Sequence, residues 1–170
     1  SEYRTERDSF SKVVATGAAG NGPASFTVKT KAGLTMEFGN TADSRIEAQG
    51  NTTVRAWALN KVSDVKGNFL AASYTEDSTN GAFYLNRIDY TGNSITGSTG
   101  TASVRFIWDA TRTDPIKGYL RASVVSVNTR LTNVRTYVGE SLVKDYRITY
   151  EQGAVTSRSR LKTLTECDAA

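Results

Sequence analysis

The chain has 170 residues and a mass of 18.4 kDa, which fits one domain or one module of a longer protein. It contains 23 Thr and 14 Gly but only 2 Pro, a composition that favours β-sheet. The absence of His removes the commonest general base and metal ligand, and the single cysteine, Cys167, excludes an internal disulfide and a thiolate zinc site. The composition therefore predicts no catalytic residue, no metal site and no cofactor.

The formal net charge is +4, and all of it lies in the second half of the chain. Residues 1–85 carry nine basic and nine acidic side chains, whereas residues 86–170 carry twelve basic and eight acidic ones. Because the basic residues form no continuous run, they favour an arginine-decorated solvent face over a surface for nucleic acid or lipid headgroups. No apolar run approaches the roughly 20 residues of a membrane span. We expect neither a nucleic-acid partner nor a membrane span.

The chain opens with four polar residues, numbers 1–4, and lacks both an initial Met and a signal-peptide pattern. We therefore expect residues 1–170 to be a single β module that is a fragment of a much larger protein.

Alternating apolar and polar residues predict strands along the first half of the chain. Residues 25–31 and 34–38 form one predicted hairpin around an Ala-Gly turn. Residues 54–63 and the strand from Phe69 form a second one, joined by the turn-forming residues 64–68.

The second half continues the pattern, with predicted strands at residues 83–90, 103–109, 119–128, 130–137, 142–151 and 159–166. Residues 40–49 are the best candidate for a short helix, with Asp43 or Ser44 as its cap. No 12-residue stretch has convincing helical periodicity. Up to a dozen strands joined by local hairpins predict an all-β, antiparallel fold, either a two-layer β-sandwich or a strongly curved sheet. The sandwich is the more common solution for an isolated module of this size.

A short phrase recurs along the chain: Leu-x-x-Val/Ile, then a Gly turn, then an aromatic return strand. Its copies begin at Leu59, Leu85 and Leu131, and a related phrase begins at Leu161. The irregular spacing argues against a fixed-period solenoid, so the repeating unit is a hairpin.

This phrase resembles the YD repeat of RHS-type bacterial proteins. The chain more closely resembles the region that precedes the repeats in RHS proteins and in insecticidal toxin-complex B components, the virulence-plasmid B-type domain. The segments that carry this resemblance are residues 3–6, 9–10, 20–23, 33–39, 57–68, 104–106, 112–114, 146–151 and 159–161. The tyrosine–aspartate pair is reversed at residues 89–90 and 145–146, which favours the pre-repeat region over the repeats themselves.

The resemblance implies a non-catalytic structural module of a secreted or cell-surface bacterial protein. In such proteins a β-rich shell encloses and delivers a toxin, and the toxic chemistry lies in a separate domain. The implied partners are neighbouring domains of the same chain.

Carboxylate pairs are the remaining candidates for chemistry, and each has a simpler interpretation. Glu76 and Asp77 offer oxygen ligands for Ca²⁺, but EF-hand spacing is absent and a hydrogen-bonded turn is favoured. Asp109 and Asp114 resemble a glycosidase pair, but Arg112 between them favours an ion-paired loop. We therefore expect that the chain is not an enzyme.

Aromatic residues on strands support one alternative function. Rings exposed on a sheet stack against sugar rings, and the candidate ligand-binding residues are Trp57, Trp108, Tyr74 and Tyr84. The alternative is therefore a carbohydrate- or receptor-binding β-sandwich module, with a glycan or host receptor as partner. Core packing is the favoured role of these rings, and their exposure discriminates between the two.

Overall fold

The computed structural model describes residues 1–7, 9–110, 112–120 and 122–169, and these residues are mostly β-structure. The strands of the described residues are, in chain order, β1 (Glu2–Tyr3), β2 (Lys12–Thr16), β3 (Ser25–Lys29), β4 (Thr35–Phe38), β5 (Arg45–Glu47), β6 (Val54–Trp57), β7 (Leu59–Ser63), β8 (Asn68–Asp77), β9 (Ala82–Asn93), β10 (Ala102–Asp109), β11 (Ile116–Leu120), β12 (Ser123–Val127), β13 (Arg130–Val138), β14 (Ser141–Gln152) and β15 (Ser159–Asp168). The predicted all-β, antiparallel fold is confirmed.

Eleven of these strands form one continuous antiparallel sheet, in the order β1-β2-β3-β4-β7-β8-β9-β10-β13-β14-β15. The other strands form two separate hairpins, β5-β6 and β11-β12. The strand order follows the chain, so most neighbouring strands are joined directly, while β4-β7 and β10-β13 are each joined through one of the separate hairpins. Of the two predicted architectures, the strand order matches the continuous sheet built from hairpins.

The sheet leaves much of the chain accessible to solvent. The accessible surface is 10483 Å², whereas a compact monomer of 18.4 kDa exposes about 8,200 Å². Few large apolar side chains are fully buried, and they cluster where the β5-β6 hairpin lies close to the β8-β9 end of the sheet. This small core contains Ile46, Val54, Ala82 and Tyr84. The chain therefore exposes more surface than a compact monomer of its mass, and the fully buried core of the described residues is small.

Two predicted strands are interrupted. Residues 54–63 divide at Ala58, because β6 pairs with β5 while β7 joins the main sheet, and the N–H of Ala58 donates to Ser44 O at 2.8 Å instead of to a strand ladder. Residues 119–128 divide near Ala122, which has a φ of +64° and allows β11 and β12 to form a hairpin. No Gly, Pro or Asn marks this second turn, so local sequence carried no signal for it.

The predicted short helix at residues 40–49 is a single 3₁₀ turn, Ala42–Ser44, followed by β5. Thr41 caps the turn rather than Asp43 or Ser44, and its N–H donates to Ser44 Oγ at 3.2 Å. Within the described ranges, no helix has the length and apolar character needed to span a membrane.

A β-bulge recurs at each copy of the leucine phrase. The leucine and the residue two positions later pair with consecutive residues of the strand before it in the sheet order. The residue between them therefore has no partner in that strand and forms the bulge. The register pairs are Phe38↔Leu59 with Glu37↔Lys61, Tyr74↔Leu85 with Ser73↔Arg87, Trp108↔Leu131 with Ile107↔Asn133, and Tyr150↔Leu161 with Thr149↔Thr163. Each leucine therefore lies opposite an aromatic residue, and the bulged residues are Asn60, Asn86, Thr132 and Lys162.

The recurring element is thus a pair of strands, an aromatic strand followed by a leucine strand, which we call the aromatic–leucine unit. The four units are β4 with β7, β8 with β9, β10 with β13, and β14 with β15. The hairpins β5-β6 and β11-β12 are inserted within the first and third units. The insertion of β11-β12 explains why the leucine phrases are irregularly spaced although the units are alike.

Candidate functional site

The four aromatic residues proposed from the sequence do not form one exposed platform. Trp57 packs edge-on against Phe26 at 4.9 Å between ring centroids, and Tyr74 contacts the Phe83 ring at 5.9 Å. Tyr84 and Trp108 lie together, with their ring centroids 5.1 Å apart. Tyr84 is buried, and the other three candidates are half-buried. The structure therefore brings two of the four together and places the other two elsewhere.

Three aromatic side chains donate hydrogen bonds to the leucine carbonyl of the preceding unit. The Tyr74 hydroxyl donates to Leu59 O at 2.7 Å, and the Trp108 indole N–H donates to Leu85 O at 2.9 Å. The Tyr150 hydroxyl completes the series by donating to the carbonyl of the third leucine at 2.8 Å. Because buried backbone carbonyls need partners, these side chains satisfy groups that the strand ladder leaves open.

The register of the three bonds is the same. The ladder between neighbouring units ends at Lys61↔Ala71, Arg87↔Arg105 and Asn133↔Arg147. Each pair is written with the residue of the leucine strand first. The leucine lies two residues before that residue, and the aromatic residue lies three residues after its partner on the next strand. The polar aromatic tip therefore bridges two units where their strands separate. In the first unit Phe38 lies opposite Leu59, but it is itself paired with Phe26 of β3 and has no polar tip.

The sequence pattern had located the leucines but not the hydrogen bonds. Tyr150 has the same role as Tyr74 and Trp108, yet it was not among the candidate site residues. Trp57 has a different role, since its indole N–H donates to Pro23 O at 3.0 Å. The constant offset between ladder end and aromatic residue is the signal that identifies the set, and reading it requires the strand register.

A recess of about 490 Å³ lies beside the Tyr84–Trp108 pair. Its lining includes Thr75, Phe106 and Thr129. The hydroxyls of Tyr84 and Thr129 are buried and have no hydrogen-bond partner among the described residues. Since buried hydroxyls are normally satisfied, this recess has room and free polar groups for water or a small polar ligand.

Glu76 and Asp77 are the last residues of β8, and Asp77 holds the hydrogen-bonded hairpin turn that follows them, close to the favoured sequence interpretation. Asp77 accepts hydrogen bonds from the backbone N–H of Asn80 at 3.1 Å and from its Nδ2 at 2.7 Å. Partial burial, together with the Glu47 carboxylate, raises the pKa of Glu76 to about 7. Among the described residues, no three His, Cys, Asp or Glu side chains are placed to hold a metal ion.

Asp109 and Asp114 are held by separate structural contacts. Asp109 lies 3.7 Å from the Arg130 guanidinium. Asp114 accepts hydrogen bonds from Ser159 N at 2.7 Å and Ser159 Oγ at 2.5 Å, and it lies 3.3 Å from Arg112 Nε. The Ser159 hydrogen bonds, with the nearby arginine, hold the pKa of Asp114 well below its usual range. Asp114 thus fastens the loop before β11 to the start of β15, an ion-paired role.

Asp145 is a second buried carboxylate with structural partners. Its Oδ1 accepts from Asn133 Nδ2 at 2.7 Å, and its Oδ2 accepts from Arg147 Nε at 3.0 Å. Arg135 Nε lies 3.3 Å away. Burial opposes its charge, but these donors still lower the pKa of Asp145. The group joins β13 to β14 and has no accessible face for chemistry, since only 2% of its surface is exposed.

The two ends of the sheet differ. The first edge strand, β1, has two residues and carries Glu2 in ion pairs with Arg4 and Lys12. The last, β15, has ten residues, and its Leu161 and Leu164 side chains are exposed. Short, charged edges resist pairing with other strands, whereas long edges with apolar residues invite it. The β15 edge is therefore the more capable binding edge.

No family model matches the sequence, and no curated protein matches it either. Solved structures share its fold, and two of them follow. The N-terminal domain of the effector protein SpvB from Salmonella typhimurium strain LT2 matches with a TM-score of 0.80 and 15% identity. The match covers 98% of this chain and 68% of that one.

The second similar structure is a chain of the Photorhabdus luminescens Tc holotoxin pore, with a TM-score of 0.79 and 18% identity. The match covers 97% of this chain but only 10% of the other. The chain thus has a fold that is also found in a bacterial effector protein and within a Tc holotoxin. At these identities the likeness concerns the fold alone.

Proposed function

We propose that the chain is a non-catalytic structural module of a secreted or surface-delivered bacterial protein of the RHS or toxin-complex type. In this function it forms part of a β-rich shell that carries a toxin, and neighbouring domains of the same chain are its partners. It performs no reaction of its own.

The observation that carries this proposal is the use of the aromatic side chains. Tyr74, Trp108 and Tyr150 donate to backbone carbonyls between successive units instead of facing a ligand. The chain exposes more surface than a compact monomer of its mass does. A large accessible surface suits a module that other parts of an assembly cover. The fold shared with SpvB and the Tc holotoxin supports the same interpretation.

A glycan array combined with sedimentation tests this function against ligand binding. We expect no saturable binding to any simple sugar, because the candidate rings form no exposed platform and the polar tips of Tyr74, Trp108 and Tyr150 donate to backbone carbonyls. Binding of one glycan by a monomeric sample at about micromolar affinity would contradict the structural function.

The recess beside Tyr84 and Trp108 supports a second candidate, a carbohydrate- or receptor-binding module. Its free hydroxyls, on Tyr84 and Thr129, are the specific observation in its favour. Thr129→Val removes one hydroxyl at nearly constant shape. If a glycan bound there, this variant would lose affinity at an unchanged or raised melting temperature, because no internal hydrogen bond of Thr129 is lost. Equal affinity would exclude the recess.

A further inference from the structure

In the fourth aromatic–leucine unit, no aromatic side chain of the described residues donates a hydrogen bond to the leucine carbonyl, whereas each earlier leucine carbonyl accepts one. Leu161 corresponds to Leu59, Leu85 and Leu131 in its bulge and in its aromatic neighbour, Tyr150. No further strand among the described residues lies beyond β15. In the three preceding copies the leucine carbonyl accepts a hydrogen bond from an aromatic side chain of the next strand. The repeat therefore directs the Leu161 carbonyl towards the open edge.

We propose that the β15 edge binds an antiparallel β-strand that carries a Tyr or Trp, whose hydroxyl or indole N–H donates to the carbonyl of Leu161. The proposal rests on the proposed function in one respect, since a shell module requires a following strand at this edge. The alignment of that strand and the position of its aromatic residue rest on the register of the repeat.

The repeat also fixes the register of the incoming strand. Thr163 corresponds to Asn133, which pairs with Arg147 of β14, and Tyr150 follows Arg147 by three residues. The incoming aromatic residue should therefore follow, by three positions, the residue opposite Thr163. The bulge at Lys162 does not prevent such pairing, because the equivalent bulges in β7, β9 and β13 lie in strands that are paired on both sides.

The side chains of β15 agree with this occupant. Leu161 is 60% exposed and Leu164 is 63% exposed. They lie opposite Tyr150 and Ile148, which share one face of β14, so an added strand would cover apolar surface on that face of the edge. Glu166 corresponds to Thr136, which lies opposite Lys144 in the third interface, so a basic residue is expected opposite Glu166. A second copy of β15 does not supply the missing donor, because residues 159–168 include no aromatic residue.

A synthetic peptide with the sequence of β14, Ser141–Gln152, is the natural probe. When it aligns as in the third interface, its Lys144 lies opposite Glu166, its Arg147 opposite Thr163, and its Tyr150 reaches the Leu161 carbonyl. The labelled peptide is titrated against the 170-residue protein and its Kd is compared with those of three variants. These are Tyr150→Trp, Tyr150→Phe and, as a matched control at another tyrosine, Tyr146→Phe.

We expect saturable binding of the parent and Tyr150→Trp peptides. Tyr150→Phe should bind roughly twofold to tenfold more weakly, since it loses one hydrogen bond, and the Tyr146→Phe peptide should bind as the parent does. Absence of saturable binding up to about 1 mM overturns the proposal. Equal affinity of the parent and Tyr150→Phe peptides also overturns it.

Disulfide trapping tests the register separately. In a Cys167→Ser background, Thr163→Cys should cross-link faster to an Arg147→Cys peptide than to a Tyr146→Cys peptide, because adjacent strand residues point to opposite faces. Faster trapping of the Tyr146→Cys peptide contradicts the proposed alignment. Failure of these binding experiments leaves the structural function intact, because the glycan array decides that function independently.

Discussion

The Tyr150 hydroxyl donates to the carbonyl oxygen of Leu131 at 2.8 Å, and this bond joins the third aromatic–leucine unit to the fourth. Leu131 lies opposite Trp108, whose indole N–H in turn donates to the carbonyl of Leu85. The sheet is therefore connected from unit to unit by side-chain bonds in addition to its ladder. These bonds lie where the ladder between units has ended, which gives them a structural role that substitution can measure.

Tyr150→Phe should lower the free energy of unfolding by about 0.5–1.5 kcal/mol, because the Leu131 carbonyl loses its donor while the ring is retained. Urea denaturation of the isolated chain measures the change. Tyr146→Phe, on the same strand, is the matched control and should change stability by less than about 0.5 kcal/mol, since no hydrogen bond of its hydroxyl is observed among the described residues. Equal effects of the two substitutions would show that the tip of Tyr150 contributes nothing.

Gly39→Ala should destabilise the chain by about 2–4 kcal/mol, because two costs combine at this position. Gly39 has a φ of +69°, and an added Cβ would collide with Cδ1 of the Trp57 ring. Gly97→Ala separates the two costs, since Gly97 has a φ of +73° but no atom within 4 Å of the added Cβ. We expect about 1–2 kcal/mol for this control in the same denaturation assay. Similar losses of unfolding free energy in the two variants would mean that the Trp57 ring moves aside at little cost.

Stability should fall as pH rises from about 4.5 to about 7, and Glu76→Gln should abolish this fall. The pKa of Glu76 is raised from 4.5 to about 7, so the folded chain holds this proton more tightly than the unfolded chain does. Its contribution is complete below the unfolded pKa and is lost as pH rises through the folded one. Urea midpoints at about pH 5 and about pH 8 measure it. Glu6→Gln, at an exposed position, is the control and should leave the pH dependence of stability unchanged. If Glu76→Gln also leaves it unchanged, Glu76 is not the group responsible for the fall.

EDTA should leave the melting temperature unchanged. The chain has no His and one Cys, and the Asp77 carboxylate is occupied by its hydrogen bonds to Asn80. Thermal unfolding with and without the chelator, followed by addition of Ca²⁺, provides the measurement. A decrease of many degrees that Ca²⁺ reverses would support a Ca²⁺ site at Glu76 and Asp77 and contradict this expectation.

The sequence by itself determined the features that depend on near neighbours. Alternation placed strands over most of β3, β8, β10 and β13, and the leucine phrase marked the bulged strands, because strand periodicity and turn chemistry act over a few residues. The inward role of Tyr84 also agreed with the favoured interpretation, since it is 7% exposed.

Only the tertiary structure decided which strands pair and what their side chains reach. The division at Ala58 arises because β6 pairs with the strand directly before it, β5, whereas β7 pairs with β4, which lies further back in the chain. The bond between Tyr150 and Leu131 depends on the register between β13 and β14, and the register of two strands is invisible to local alternation. A period of two assigns residues to faces, but it contains no information on which strand lies alongside. The choice between facing sheets and one open sheet was therefore made by long-range pairing.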